Sequence, residues 1–472
     1  MFQLIQNMIN GKNVLILGFG REGRSTFSVL EKVKSYRSLA IADQAALSAK
    51  DTGGVEGVEL ITGPDYQKRL NEFDLVFKSP GIVLEHDISE YTCRIVSQTE
   101  VFFHRYRDQI IGITGTKGKS TTTSLLYHIL KNAGCDTMIA GNIGIPVFDN
   151  AEAITDNTKI VVELSCHQLE YMTVSPHTGV LVNIHEEHLD HYGTMEKYVA
   201  AKEKIYRNQK KGDILFCNEA ILPLNGTCAA DVYAVYPPVE QNGQTVIPSS
   251  GRSLTKGITA PVGEVRVVNQ EIFFEQYRFP IPTEEIQLMG EHNYYDIAIV
   301  FAICMQQGVS IEDFDRGLKS YEILPHRLHY IGTRNGVKYY DDSISTICDT
   351  TIQALNTLKN ADTVLIGGMD RGIDYRELIV YLSESPVPNI ILMEATGKRI
   401  LQEIQRDYPD FNGRERLILT EHLSDAVEMA KKVTRPGHSC VLSPAAASYG
   451  IFKNFEERGD RFAEYVLGES NN

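Results

Sequence analysis

The stretch Ile113-Thr-Gly-Thr-Lys-Gly-Lys-Ser-Thr121 follows a β-branched run, Ile110 to Ile113, and opens a helical pattern. A strand that passes through a small, glycine-bearing turn into a helix makes a phosphate cradle. Gly115 and Gly118 let the backbone come close to a polyphosphate, and the helix N-terminus aims free N–H groups at it. Lys119 adds a point charge, Ser120 or Thr121 offers a hydroxyl to Mg²⁺, and Thr116 and Lys117 fill the turn between the glycines. The expected ligand is a nucleoside triphosphate. Ile113 stands where the strict G-x-x-x-x-G-K-[ST] pattern has its first glycine, so flanking sequence must decide between this site and a plain glycine-rich turn.

Outward from this loop, the short apolar runs Val14 to Leu17, Leu39 to Ile41, Leu75 to Phe77, Ile160 to Leu164, Gly179 to Asn183 and Ile214 to Cys217 alternate with helical patterns. The rhythm breaks at the polar, Gly/Pro-rich stretch from Tyr236 to Gly263, an irregular insertion or a small β element. It resumes from Lys338 through Thr363 to Ile366, Asn389 to Met393 and Ser439 to Leu442. Strands separated by helices form βαβ units and parallel sheet. A chain of 472 residues exceeds what one core organises. The expectation is an α/β protein of three domains, residues 1–108, 109–328 and 329–472.

The first segment carries Gly18-Phe19-Gly20-Arg21-Glu22-Gly23 directly after a strand, with Asp43 at the end of the next one. This is the dinucleotide-binding fingerprint in its expected context. The same turn can hold any pyrophosphate, so NAD, FAD and a nucleotide-linked substrate all fit, and the second phosphate site downstream favours the last. Lys78-Ser79-Pro80-Gly81-Ile82 is another turn after a strand, either closing over that ligand or simply reversing the chain.

A formal charge of −15 argues against broad nucleic-acid or anionic-membrane binding, since both reward a basic surface. Phosphate must then be bound locally. The N-terminus lacks a basic, apolar, small-residue leader pattern, and no segment approaches the ~18 uninterrupted apolar residues of a membrane span, so a cytoplasmic protein is expected. The eight cysteines are dispersed without C-x-x-C pairs and read as reduced, buried apolar residues.

Past the phosphate loop, Val161-Val-Glu-Leu-Ser-Cys-His-Gln-Leu-Glu170 places Glu163 at a strand end. Asn183-Ile-His-Glu-Glu-His-Leu-Asp190 places a polar cluster at another. Both ends should emerge on the sheet edge that holds the triphosphate, where hard oxygen ligands suit Mg²⁺. The bland alternative makes Glu163 a helix cap and His185, His188 and His191 surface residues.

The combination ITGTKGKST, VELSCHQLE, NIHEEHLDHYG, AAKEKIY, GEHNYYD, ILPHR, GGMDRG and SPAAASYGIFKNFEERG, in that order along essentially the whole chain, resembles the ATP-dependent Mur ligases and most closely their glutamate-adding branch. The resemblance implies an N-terminal Rossmann-like domain for the UDP end of the substrate, a central P-loop-type ATPase domain, and a C-terminal Rossmann-like domain that brings in the amino acid. It implies glutamate added to UDP-N-acetylmuramoyl-L-alanine through an acyl phosphate, in a monomer that uses small molecules. Gly18, Phe19, Gly20, Arg21, Glu22, Gly23 and Asp43 become UDP contacts, joined by Ser79, Pro80, Gly81, Asn142, Ser165 and Gln168. Gly115 to Thr121, His292, Asn293, Arg327 and Asp342 fall to ATP, with Lys119 on the β/γ-phosphates. By similarity Ser120, Thr121 and Glu163 serve a first Mg²⁺ and His188 a second one, and Lys202, in the helix Tyr198-Val-Ala-Ala-Lys-Glu-Lys-Ile-Tyr206, matches a lysine that relatives carry as a carbamate beside metal. Read without the family, Lys202 is a solvated helix lysine.

The sequence departs from the family at three places. Asp296 stands in GEHNYYD where the adenine-contacting H-N-x-x-N segment ends in asparagine. Ile344 and Arg371 replace both lysines of the amino-acid site. Thr346, Ser448 and Phe455 remain where the family contacts glutamate, and Arg371 keeps a positive charge as a planar fork. A dicarboxylic amino acid follows, D-glutamate or, as in a DSIST-bearing branch, L-glutamate. The alternatives are a folylpolyglutamate-synthetase-like ligase, against which Gly18 to Asp43 counts, a subunit of a peptidoglycan-amidating complex, against which the missing zinc-type cysteines count, and a nucleotide-binding protein without ligase activity.

Overall fold

The computed structural model describes residues 1–239 and 257–468, so most of the stretch from Tyr236 to Gly263 lies outside the described residues. The chain divides into two compact units, one ending at Tyr321 and one beginning at Glu322.

The first unit holds two sheets. β1 (Asn13–Leu17), β2 (Ser38–Asp43), β3 (Val58–Thr62), β4 (Leu75–Lys78) and β5 (Arg94–Val96) make a parallel sheet in the order β3-β2-β1-β4-β5. The chain winds from β1 to one edge and then returns to the other, so the direction of winding reverses between β1 and β4. Ligands of open α/β sheets sit at such a reversal, at the carboxyl ends of the strands. The turns after Leu17 and after Lys78 both open there.

The second sheet contains β6 (Ile110–Thr114), β7 (Thr137–Gly141), β8 (Lys159–Glu163), β9 (Thr178–Leu181), β10 (Ile214–Asn218), β11 (Asp231–Val235), β12 (Gly263–Val268), β13 (Glu271–Phe274) and β14 (Tyr277–Pro280). Their order is β14-β13-β12-β11-β10-β9-β6-β8-β7, parallel from β7 to β12 and antiparallel beyond. Winding reverses between β6 and β9, which sets the phosphate loop at the switch point with β8 on its other flank. The interior strands are β-branched and buried on both faces, as covered parallel strands must be. The helices Lys119–Asn132 and Glu291–Gln306 pack together over this sheet.

One apolar cluster joins the two sheets. Phe102 and Phe103, on the helix Gln98–Tyr106 before β6, are fully buried together with Leu164, Leu169 and Met172 of the central sheet's connections. Burying each phenylalanine contributes roughly 1.5–3 kcal/mol, which ties the N-terminal sheet to the central one.

The second unit is built on β15 (His329–Arg334), β16 (Val337–Asp341), β17 (Ala361–Gly367), β18 (Asn389–Met393), β19 (Leu417–Thr420) and β20 (Ser439–Leu442), in the order β15-β16-β20-β17-β18-β19. Only the β15–β16 pair is antiparallel. The α/β class with three sheets is the architecture expected from the alternating pattern. Among the described residues no helix is long and apolar enough to cross a membrane. All eight cysteines are free, and Cys166, Cys217, Cys304, Cys348 and Cys440 are buried.

Candidate active site

The phosphate loop is held in shape by side chains from three neighbouring segments. Gly118 has φ +79°, a left-handed conformation, at the N-cap of the helix Lys119–Asn132. A Cβ there would lie 2.6 Å from Oδ1 of Asp296, a buried carboxylate on the helix Glu291–Gln306. Asn183, just beyond β9, clamps the turn: its Oδ1 accepts from Thr116 N (3.1 Å) and Lys117 N (2.8 Å), and its Nδ2 donates to Lys117 O (3.2 Å). The sequence pattern carried the strand on to Asn183, but pairing stops at Leu181, which leaves Asn183 free to turn toward the loop. Thr116 Oγ1 meets Tyr198 Oη at 2.9 Å and accepts from His185 N at 2.9 Å. Lys119 Nζ donates to Thr116 O (2.9 Å). The helix begins at Lys119, Ser120 and Thr121, and the N-terminus of a helix is the end that favours an anion.

Lys202 reaches this loop from below. Its helix runs Met195–Glu203, earlier than the pattern Tyr198 to Tyr206 suggested, because Thr194 caps it by accepting from Lys197 N. This register buries the Lys202 side chain, 2% exposed, and its Nζ donates to Gly115 O at 2.7 Å. The solvated-lysine reading is therefore wrong for this residue. Burial, reinforced by the neighbouring Lys119 charge, lowers its pKa to about 7.

Glu163 ends β8 beside β6 and is 1% exposed. Its Oε1 accepts from Asn142 Nδ2 at 2.7 Å, while its Oε2 is buried without a hydrogen-bond partner. Gly141 carries φ +98° so that the chain can turn tightly against Glu163, and Asn142 N donates to Glu163 O. Ser165, not Glu163, caps the short helix that follows. His188 holds φ +57°, unusual for a residue with a Cβ, and its ring lies 4.9 Å from that of His167. Glu187 sits between Lys117 and His188, 3.7 Å from each. Burial pushes the Glu187 carboxyl up, but Lys117, His188, Lys119 and Lys202 outweigh it and hold the group below its ordinary range.

These groups suit a divalent cation of the hard kind. Among the described residues no three or more His, Cys, Asp or Glu side chains converge into a protein cage. Mg²⁺ needs only one or two carboxylates, with phosphate and water completing its shell, and the unpartnered Glu163 Oε2 and the Ser120 or Thr121 hydroxyl are groups of that type.

At the N-terminal sheet, Gly18 has φ +88°, and Gly23 packs so closely on Gly18 O that a Cβ would overlap it. Asp43 braces this turn: Oδ2 accepts from Phe19 N at 2.6 Å and Oδ1 from Ala45 N at 2.8 Å. Ser79 Oγ donates to Gly18 O at 2.8 Å, which links the two turns expected to share a ligand. Arg21 reaches Gly144 O at 3.2 Å, beside Asn142, and Glu22 Oε1 accepts from Gln168 Nε2 at 2.7 Å. Gly20 and Gly81 are exposed, and Pro80 is half-buried. Hydrogen bonds thus link the fingerprint turn to the Ser79 turn, to Gly144 beside Asn142, and to Gln168 of the helix that Ser165 caps.

His292 is exposed and Asn293 Nδ2 donates to Met289 O at 2.6 Å, so these two mark the start of the helix Glu291–Gln306, whereas Asp296 on the same helix abuts Gly118.

In the second unit, Arg327 lies between two non-glycine residues in the left-handed region, His326 (φ +64°) and Leu328 (φ +49°). Asp342 is buried and accepts from Ser345 Oγ (2.6 Å), Ser443 Oγ (2.7 Å) and Leu328 N (3.1 Å). Burial pushes its pKa up to about 7 against those bonds. Arg371 is exposed and donates to Thr346 O at 3.3 Å, Ser448 is buried, and Phe455 faces His326 edge-on at 6.1 Å. Sequence reasoning passed over Arg458, fully buried, which joins these segments: Nε donates to Ser343 Oγ (3.0 Å), and Nη2 to Ser343 O (2.8 Å) and Ala446 O (3.0 Å). An arginine in the run Phe-Glu-Glu-Arg-Gly, one turn into an amphipathic helix, carries no sequence signal for such a role.

Residues 113–304 match the model of the Mur ligase middle domain. The UDP-N-acetylmuramoylalanine--D-glutamate ligase of Pelotomaculum thermopropionicum is 31% identical, with 97% of this chain and 97% of that protein covered. The protein of the same description from Acetivibrio thermocellus is 32% identical over 97% of each. Among solved structures, UDP-N-acetylmuramate-alanine ligase MurC from Thermotoga maritima superposes with a TM-score of 0.56 at 17% identity, covering 97% of this chain and 99% of that one. MurF ligase from Thermotoga maritima in complex with ADP gives 0.54 at 14% identity, covering 98% and 96%. At those identities the likeness is one of fold.

Proposed function

This chain belongs to the Mur ligase family, and from that premise we propose that it is an ATP-dependent ligase that joins glutamate to UDP-N-acetylmuramoyl-alanine in peptidoglycan precursor synthesis. It acts on small molecules, as a monomer in the cytoplasm. The observation that carries the reading is the buried Lys202 amine bonded to the phosphate loop at Gly115 O, because nucleotide binding alone gives no reason to bury a second lysine there.

The reaction needs an activated carboxyl. The substrate's carboxylate attacks the γ-phosphorus of ATP, the bond to the β-phosphate bridge oxygen breaks, and ADP leaves with that electron pair. The amine of glutamate, having lost a proton to solvent or base, adds to the acyl carbon. The tetrahedral intermediate then gives up the second amine proton to solvent or base, expels inorganic phosphate and leaves the amide. Such chemistry is chiefly alignment and charge neutralisation. Lys119 and the helix N-terminus hold the β/γ-phosphates, and Asn183 keeps the loop in the shape that presents them. Glu163, Ser120 or Thr121, and His188 are the groups that would hold Mg²⁺, which supplies Lewis-acid neutralisation of phosphate charge. Lys202, with its lowered pKa, has a neutral amine available near pH 7, the form that adds CO₂ to become a carbamate, and it stands close enough to the loop for that anion to serve a metal. His292, Asn293 and Arg327 are assigned to ATP, as is Asp342, although its carboxylate is already engaged by three internal donors. The Gly18–Gly23 turn with Asp43, Ser79, Pro80, Gly81, Asn142, Ser165 and Gln168 takes the UDP-linked substrate, and Thr346, Arg371, Ser448 and Phe455 take glutamate.

ADP formation by purified protein, with each substrate omitted in turn, tests the proposal. Release of ADP should require both UDP-N-acetylmuramoyl-alanine and glutamate, and the product should gain one glutamyl residue. ATP turnover indifferent to both would overturn it. Ile344 and Arg371 give specific reason to run L-glutamate beside the D-enantiomer that the relatives' descriptions name.

A further inference from the structure

Within the first unit, a cleft of about 160 Å³ is walled by Lys78, Pro80, Arg94, His104, His167 and Tyr171, among others. Its most distinctive group is Lys78, the last residue of β4, which is 5% exposed. The ammonium is poorly satisfied. Its hydrogen bonds run to Ser79 O and Pro80 O at 3.3 and 3.4 Å, beyond the usual range, and it sits 5.1 Å from the centre of the Tyr171 ring. Among the described residues no carboxylate lies within ion-pair distance of it. A buried cation held only by long bonds and a ring face is costly unless an anion completes its shell. Burial accordingly lowers the Lys78 pKa to about 8, with Glu170 and Glu22 opposing from a distance.

The remaining walls carry a single carboxylate beside three basic side chains, Arg94, His104 and His167. Glu100, the one carboxylate on the lining, is already engaged: Thr173 N donates to Oε2 at 3.1 Å, Thr173 Oγ1 donates to Oε1, and His104 Nε2 meets Oε1 at 3.1 Å. Arg94 and two imidazoles contribute positive or neutral surface. The position of the cleft identifies the ligand. One wall is the Ser79-Pro80 turn, which is bonded to Gly18 O at the pyrophosphate turn. The other is His167, whose ring is 4.9 Å from that of His188 beside the phosphate loop. The cleft therefore borders both the turn at Gly18 and the histidines beside the phosphate loop, where the carboxyl-bearing end of a molecule anchored at Gly18 would lie.

We propose that Lys78 is a further substrate-binding residue, the counter-ion for the carboxylate-bearing arm of the nucleotide-linked substrate, with this cleft as the seat of that arm. The inference rests on the function proposed above and adds to it a residue that draws the carboxyl end, rather than the diphosphate, into place.

The test compares wild type, Lys78→Gln, Lys78→Met and Lys78→Arg by calorimetric titration with UDP-N-acetylmuramoyl-L-alanine, with UDP-N-acetylglucosamine, which lacks a carboxylate, and with UDP. Loss of a charge-assisted bond predicts about 10- to 100-fold weaker binding of the first ligand in the Gln and Met variants, with partial recovery in Arg. The two carboxylate-free probes and ATP should bind within about two-fold of wild type, which also certifies the fold. Equal weakening for all three uridine ligands would make Lys78 a diphosphate or structural residue, and unchanged affinity for the first ligand would remove it from the site; either result overturns the inference. Wild-type turnover in the same preparations keeps the two claims apart. An inactive wild type defeats the proposed function, whereas an active wild type with an indifferent Lys78→Gln defeats only the assignment of Lys78.

Discussion

Gly118→Ala should damage ATP binding by an amount that follows from two separate features of the loop. A residue with a Cβ at φ +79° is placed in the left-handed region, which costs about 1–2 kcal/mol. The new methyl would also lie 2.6 and 2.9 Å from the two carboxylate oxygens of Asp296, which is short-stemmed and buried, so backbone or carboxylate must shift. Overpacking of that kind costs about 1–3 kcal/mol. Together these give at least about 2 kcal/mol, or roughly 30-fold in ATP affinity if the loop yields locally instead of the whole unit unfolding. Asp296→Ala removes the overlap and leaves the backbone strain, so the two substitutions should couple by about 1–3 kcal/mol, with the double variant better than additivity predicts. Titration of ATP against the four proteins of the cycle, with denaturant midpoints for each, measures the term directly. Wild-type affinity and stability in Gly118→Ala, or strict additivity in the cycle, would refute the claim that the glycine is needed to make room for Asp296.

Other perturbations address other groups. Lys202→Met should lower the ligation rate by about 10²–10³-fold, a magnitude typical of removing one positioned charge-stabilising group, and small carboxylates should restore part of it; full activity without additives would make the residue structural. Asp342 has a folded-state pKa near 7 against 3.8 when exposed, so the folded chain binds the extra proton between those values. Its contribution to stability is complete below about pH 4 and is lost as pH rises toward 7. Asp342→Asn should therefore flatten the fall in unfolding midpoint over that window, and an unchanged slope relative to wild type would contradict the assignment. Arg458→Met leaves the Ser343 and Ala446 acceptors buried without their donor and should destabilise the second unit by about 1–3 kcal/mol. Arg458→Lys keeps the charge without the fork and should raise glutamate KM far more than ATP KM, which steady-state kinetics with each substrate varied would check.

Much of this could be read directly from the chain. The β-branched runs located the buried strands because parallel strands covered on both faces have no polar alternation to obscure them. The edge strand Val58–Thr62, by contrast, is only partly buried, mixes Glu59 with apolar residues and gave no run to detect. The strands from Gly263 to Pro280 start at the last residue of the stretch read as an irregular insertion or a small β element, and their half-buried, mixed composition beyond it gave no run to detect. For the site, glycine spacing exposed the phosphate loop, yet nothing local reveals that Asn183 would close on it from 66 positions away, or that Lys202 would be buried. Such roles arise from which strands become neighbours, and single-sequence periodicity does not carry strand order. Lys78 was in plain view beside a Pro-Gly turn, but its burial depends on Tyr171 arriving from another sheet's connection.

The unpaired thiols give this molecule an intrinsic reporter. With no tryptophan, indole fluorescence cannot follow its unfolding, yet five sulfhydryls are shut away from reagent in the native fold and three are partly open. Cys166, Cys217 and Cys304 belong to the unit that holds the nucleotide loop, and Cys348 and Cys440 to the other. Alkylation followed by peptide mass mapping would consequently time the opening of each half separately, without any label being introduced.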